Sequence, residues 1–293
     1  MPFAFSLDAS SIVNEDFHEL IWRNRFIIRA KSLAPMRKQK GTFVILQNCE
    51  EEFNNYHKSA LKFYENGYDV IFVRLADSSC DLLRKKAFSQ NLVERPAALP
   101  IIRRAEQINY IFRYLAYPDF RAPFYLLAQG TNALAALMAQ SYLSDNVKML
   151  VLVSPVLSWL GYDEKSSFAL KCHFMASLGL GGCKPKNLSK RFQKEYNIYD
   201  HDSFDRLPNY AILNDIFRSV KLLNSKYFLE KATRPTLFFT KEKTAFQEDK
   251  FIKNYSGKLP LSNIITLRSK NNKNFDENVR LQRQFYAALE AFL

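Results

Sequence analysis

Phe124-Tyr125-Leu126-Leu127-Ala128-Gln129-Gly130-Thr131-Asn132 passes from an unbroken apolar run into a short polar turn, and the Ala/Leu/Met-rich stretch Ala133 to Tyr142 follows at once. Five apolar residues bounded by turn formers predict a buried strand over Phe124 to Ala128, and the stretch after the turn predicts a helix. The next apolar run, Met149 to Val153, predicts a second strand, which completes a strand-turn-helix-strand unit. Working outward, Val70 to Val73, Thr42 to Leu46 and Phe26 to Ala30 also predict strands. Phe53, Tyr56, Ala60 and Phe63 recur at helical spacing, and Gly67 closes that helix. Ile102 to Tyr117 predicts another helix, with Ile108, Ile111, Phe112 and Leu115 on one side. Strands alternating with helices imply an α/β fold: a mainly parallel sheet with helices on both faces. The basic turn Met36 to Lys40, between the first two predicted strands, suits an edge hairpin opening the sheet.

From Val156 to Ala232 no strand-like run occurs, and helix formers and aromatics dominate. This segment is expected to be a helical cap. The predicted division is therefore a core of 1–155 and 233–293, with an inserted cap of 156–232. Phe168, Phe174, Met175 and Leu178 are expected to line an apolar pocket beneath the cap, and Lys184 to Lys194 to face solvent. No internal repeat or low-complexity stretch is present.

Leu127 to Leu134, together with Val151-Leu152-Val153-Ser154-Pro155, resembles the lysophospholipase and monoacylglycerol lipase (serine aminopeptidase-like) branch of the α/β-hydrolases. In that branch the turn reads roughly A-H-S-M-G-G, and the following strand ends in Ser-Pro. Gly41-Thr42-Phe43-Val44-Ile45-Leu46-Gln47, then Glu51 and Tyr56, is similar to the branch's early strand and loop. Arg234 to Phe239 resembles the strand before the triad acid. Thr266 to Glu277, running into Arg280 and Phe285 to Phe292, resembles the histidine loop and closing helix. The resemblance extends from about Phe26 to Leu293. It implies an α/β-hydrolase fold, a lid in the place of the predicted cap, and serine-hydrolase chemistry on carboxylic esters such as lysophospholipids.

That chemistry needs a nucleophile, a base, an acid that orients the base, and donors for the oxyanion. In the α/β-hydrolases the nucleophile of G-x-S-x-G sits on a strained strand-to-helix elbow. Here those five positions read Ala128-Gln129-Gly130-Thr131-Asn132, so glycine stands where serine is expected. Ungapped matching from Pro235 places the acid at Thr244; Glu242 would substitute if the loop were one or two residues shorter. Matching Glu277 to the family's H-E-x-x-x-E places the histidine at Asn272. The four histidines are His18, His57, His173 and His201, none of them after the last predicted strand. Asn48, beside Cys49, takes the place of an oxyanion-loop glycine, while the backbone N–H of Thr131 would remain as a donor. All three triad positions are therefore degenerate, and the family mechanism is expected to fail.

Glycine at the elbow relieves strain, because positive φ costs about 1–3 kcal/mol for other residues. Asn132 and Ala133 replace two family glycines, and a slightly opened turn is expected. Relocated chemistry has poor candidates. Thr131 has no histidine partner within reach of this topology, and Cys49 lies beside Glu50, Glu51 and Glu52, whose charge opposes a thiolate. Cys172-His173 falls in an apolar helix where core packing is the simpler reading. Gly179-Leu180-Gly181-Gly182 lacks the preceding strand that a phosphate loop needs.

At 293 residues, 47% of them hydrophobic, the chain suits one sizeable domain with an insertion. No signal-peptide pattern opens it, and no apolar run approaches the ~20 residues that span a bilayer, so a soluble cytoplasmic protein is expected. Cys49, Cys80, Cys172 and Cys183 form no C-x-x-C pair, which argues against a zinc site or a disulfide framework. No metal or other cofactor is expected. The net charge of +13 suits an anionic partner, but scattered lysines and arginines also fit compositional bias, and nucleic acid is disfavoured. Three functions follow: an inactive hydrolase-fold protein that binds an acyl or lipid-like molecule or a protein; an active lysophospholipase or carboxylic-ester hydrolase with a rearranged site; or a binder of anionic membrane.

Overall fold

The computed structural model describes residues 15–22, 26–33, 40–47, 57–76, 100–115, 123–188, 208–241, 248–267 and 279–293. Among these residues eight strands are present: β1 Glu15–Trp22, β2 Phe26–Leu33, β3 Thr42–Gln47, β4 Asp69–Arg74, β5 Phe124–Gln129, β6 Val147–Val153, β7 Thr236–Lys241 and β8 Ser262–Leu267. They form one sheet in the order β1-β2-β4-β3-β5-β6-β7-β8. The six strands from β4 to β8 run parallel, while β2 pairs antiparallel with both β1 and β4. The chain steps from β3 outward to β4 and then returns to β5 on the other side of β3. That reversal opens a crevice beyond the carboxyl ends of β3 and β5, where open parallel sheets hold their ligands.

The opening of the sheet differs from the sequence expectation. Phe26 to Ala30 and Thr42 to Leu46 do not form an edge hairpin; β2 pairs with β1, and β3 lies between β4 and β5. The reason lies in composition. Every residue of β3 is buried, as befits a strand covered on both faces. The true hairpin partner, Glu15–Trp22, is too polar to announce itself as a strand.

Among the described residues eight α-helices accompany the sheet: α1 His57–Glu65, α2 Ile101–Leu115, α3 Gly130–Ala139, α4 Ser167–Ser177, α5 Tyr210–Leu223, α6 Lys226–Lys231, α7 Glu248–Ser256 and α8 Val279–Glu290. The period-2 alternation of side chains along a strand divides the core in two. Val44 and Leu46 of β3, Leu126 and Ala128 of β5, and Leu150 and Leu152 of β6 face α2, α3 and α7. Phe43 and Ile45, Leu127, and Met149 and Val151 face α1 and α8, where Phe43 stacks on Phe63 at 4.0 Å and Phe239 meets Phe285 at 4.4 Å. α3 is buried on nearly every side, consistent with its all-apolar sequence after the first turn. Gly67 ends α1 at φ 87°, with Tyr68 N–H donating to the Phe63 carbonyl and Gly67 N–H to that of Tyr64. This is the Schellman closure that a left-handed glycine permits.

Between β6 and β7 the described residues hold α4, α5, α6, a short 3₁₀ turn at Lys186–Leu188 and an isolated bridge between Trp159 and Tyr162. Capping sets the helix starts: Ser166 accepts from Ala169 N–H and Asn209 from Ile212 N–H. α5 carries two apolar faces. Ile216, Val220 and Leu223 pack into the cluster beneath α2 and α3. Tyr210, Leu213 and Phe217 pack with Phe168, Ala169 and Cys172 of α4.

Candidate functional site

The elbow forms where the sequence places it. Gln129 leaves β5 in extended conformation (φ −125°, ψ 149°), and Gly130 turns the chain into α3 at φ 58°. A Cβ added to Gly130 would meet nothing within 4 Å. The backbone shape of a nucleophile elbow is thus present, with open space above it and no side chain to fill that space. The next strand is fixed alongside: Val156 N–H donates to the Gly130 carbonyl at 3.3 Å, and Ser154 N–H to that of Phe239 at 2.8 Å. Ser154 itself has φ 45°, a left-handed conformation that costs a non-glycine residue about 1–3 kcal/mol.

Asn132 stands where the sequence resemblance leads to the expectation of a close-packing glycine. Its side chain is buried, and Nδ2 donates to the Gln47 carbonyl at 2.8 Å, tying α3 to the carboxyl end of β3. The asparagine therefore fills the gap between helix and strand with a hydrogen bond. Arg104 Nη1 lies 3.4 Å from Thr131 Oγ1 and 3.5 Å from Asn132 Oδ1, which brings a guanidinium to the first turn of α3. Asp215, from α5, accepts the N–H of Ile101 at 2.7 Å and so caps α2. Burial pushes the Asp215 carboxyl above the ordinary 3.8; the Ile101 N–H, Arg104 and Arg218 pull it back.

Thr131 stands in the first turn of α3, beside Gly130. Asn48, Thr244, Asn272 and the alternative acid Glu242 lie outside the described residues, as do Cys49 and His201. Phe168 is buried against Trp159 in the cluster formed by α4 and α5, and Met175 packs at the edge of the same cluster. Phe174 and Leu178, expected to line a pocket, are instead 61% and 56% exposed. The reason is phase: on α4 the inward stripe is Phe168, Ala169, Cys172 and Met175. Burial pushes the Cys172 thiol up to about 12, so it stays protonated and inert, as a core cysteine should. Among the described residues no cluster of His, Cys, Asp or Glu could hold a metal ion, and no helix is long and apolar enough to cross a membrane.

Sequence reasoning did not find Arg104, Asp215 or the Asn132 bond. Asp215 contacts Ile101 across 114 positions, and Arg104 looks like any charge on an exposed helix turn. No short-range pattern encodes either contact.

No family model and no curated protein matches this sequence. Solved structures do match in shape. A lipase in an open form superposes with a TM-score of 0.68 at 13% identity, over 95% of this chain and 98% of that one. The chain has the α/β-hydrolase fold. A thermostable carboxyl esterase from Bacillus coagulans in complex with glycerol matches at 0.62 and 13% identity, over 94% and 98% of the two chains. A monoacylglycerol lipase from Paleococcus ferrophilus matches at 0.61 and 13% identity, over 90% and 97%. In the α/β-hydrolase fold the turn after the central strand carries the nucleophile, and in this chain that turn is Gln129-Gly130-Thr131.

Proposed function

We propose that this chain is an α/β-hydrolase-fold relative of the lysophospholipase and monoacylglycerol lipase branch that has lost acyl-transfer chemistry and keeps a capped site for an acyl or lipid-like molecule. One observation carries the reading. Gly130 occupies the elbow apex with the conformation a nucleophile would have, at the crevice beyond the carboxyl ends of β3 and β5, and supplies no hydroxyl. Removing one triad member can leave about 10³ to 10⁴-fold catalysis over water, while the intact unit contributes on the order of 10⁶. A chain with Gly130, Thr244 and Asn272 at the three positions lacks the whole unit. The packing of α5 on the cluster under α2 and α3 and the Asp215 bond to Ile101 support the reading of a cap seated beside the elbow.

Repair tests this reading. Gly130→Ser alone is expected to give no measurable hydrolysis of p-nitrophenyl butyrate, because the three groups act as a unit. Gly130→Ser with Thr244→Asp and Asn272→His is expected to give a trace, held low by Asn48 in the oxyanion loop; a lost donor there costs about 10² to 10³ in rate. Substantial hydrolysis by the single variant would contradict the assignment of the other two positions.

A second reading, an ester hydrolase with a rearranged site, is favoured by one feature: Ser154 holds a hydroxyl on strained backbone beside the elbow, and such strain gathers at functional sites. Loss of an unmodified protein's hydrolysis on Ser154→Ala would support it.

A further inference from the structure

A cavity of about 300 Å³ lies at the opposite end of the sheet from Gly130. Lys40 and Tyr68 on its wall precede β3 and β4, whereas Gly130 follows β5, and six-residue strands at about 3.3 Å per residue set the two ends roughly 20 Å apart. The elbow and its cap take no part in it. Its floor is apolar and aromatic: Phe63 from α1, Tyr68 from the turn after it, and Tyr286 and Leu289 from α8 are all buried. Its rim is exposed, with the polar Lys40, Asn66 and Glu290 and the apolar Leu293. An apolar floor with a few polar groups at the mouth is the usual build of a small-molecule site, and this volume sits at the small end of the range for such sites.

The walls are held rigid. Lys40 N–H donates to the Gly67 carbonyl at 2.9 Å and Asp69 N–H to that of Gly41 at 3.0 Å, while Phe63 and Tyr286 meet edge to face at 5.6 Å. Two ammonium groups lie over these rings, Lys40 Nζ at 5.7 Å from the Tyr68 centroid and Lys62 Nζ at 4.4 Å from that of Tyr286. Against them stands one carboxylate side chain on the rim, Glu290. On the lining itself Lys40 and Glu290 offset each other, Lys62 adds a cation beside them, and the chain as a whole is positive. Burial raises the Tyr68 phenol, which stays neutral and adds no opposing charge.

We propose that this cavity binds a small aromatic carboxylate, its one or two rings lying among Phe63, Tyr68 and Tyr286 and its carboxylate meeting Lys40 at the mouth. Planar rings suit edge-to-face aromatic walls, and a carboxylate suits an ammonium already poised at the rim.

Titration of the full chain with 2-naphthoate, followed by the anisotropy of the ligand's own fluorescence, tests it. The expected result is one saturable site, weakened about tenfold by Lys40→Glu and little changed by Lys40→Arg, as loss of a charge-assisted contact implies. Asn66→Trp, which plugs the mouth from an exposed position, is expected to weaken binding as well. Neutral 2-naphthamide, which needs no variant to fold, is expected to bind about tenfold more weakly than the acid. Absence of saturable binding, equal affinity for the amide, or affinity indifferent to both Lys40→Glu and Asn66→Trp would overturn the proposal.

Discussion

At Gly130 the backbone has the shape of a nucleophile elbow without a side chain on it. A positive φ at a nucleophile elbow is strain held for chemistry, and glycine carries it at little cost. The open space around its missing Cβ means that a serine there would meet no steric obstacle. Gly130→Ser should therefore lower stability by about 1 kcal/mol through backbone conformation alone, measured by urea unfolding. A loss several times larger would mean that the side chain collides with a neighbour and that the elbow is not open. Asp215 gives a second test at this scale. Its carboxyl is raised above the ordinary 3.8 by burial, so between that value and its raised native value the folded chain holds more protons than the unfolded chain. The stability this group contributes is complete below 3.8 and is lost as pH rises through the native value. Subtracting the unfolding free energy of Asp215→Asn from that of the wild type should give a difference that falls with rising pH across the window. A flat or rising difference would contradict the burial of the charge.

At the scale of elements, what the sequence made legible follows from local periodicity, and what it concealed follows from distance. Phe124 to Ala128 and Met149 to Val153 are short apolar runs between turn formers, and both are central parallel strands of the sheet. The Phe26 and Thr42 strands were legible individually, but not their partners, because pairing across a sheet depends on the β1 strand, whose polar sequence hides it. The elbow was legible because its conformation is local to three residues. Arg104 and Asp215 were not, since their contacts span 27 and 114 positions. α4 shows the same limit: Phe168, Phe174, Met175 and Leu178 all look apolar in sequence, yet only its packing against α5 decides which face is inward. Its other face exposes Leu170 (69%), Phe174 and Leu178, recurring every fourth residue, beside exposed Lys171 and with no acidic residue on the helix. An exposed apolar stripe bordered by positive charge suits an anionic lipid surface. Flotation with phosphatidylglycerol vesicles should carry the protein, phosphatidylcholine vesicles should not, and salt should weaken the effect. Phe174→Asp should abolish flotation while changing stability by no more than about 0.5 kcal/mol, as expected for an exposed site. Equal flotation on both lipids would remove the electrostatic part of this proposal, and no flotation on either would remove the whole.

On the scale of the whole molecule, the six parallel strands, the strand reversal at β3 and the elbow beyond β5 are the parts of an α/β-hydrolase fold, and the shape matches lipases and esterases over nearly the full chain at 13% identity. Fold and function separate at this level, because a scaffold survives substitutions that its chemistry does not. Core packing depends on side-chain volume and burial, and α3 is fully packed behind a turn that carries glycine at its apex. Acyl transfer depends on three groups converging within hydrogen-bond reach. The central claim is that no activated serine exists in this chain. Incubation of the purified, unmodified protein with a fluorophosphonate probe tests it most directly, since labelling reports an activated serine whatever its substrate. The account predicts no covalent adduct by intact mass after prolonged exposure at excess probe; a stoichiometric adduct, located on Ser154 or any other serine, would contradict it.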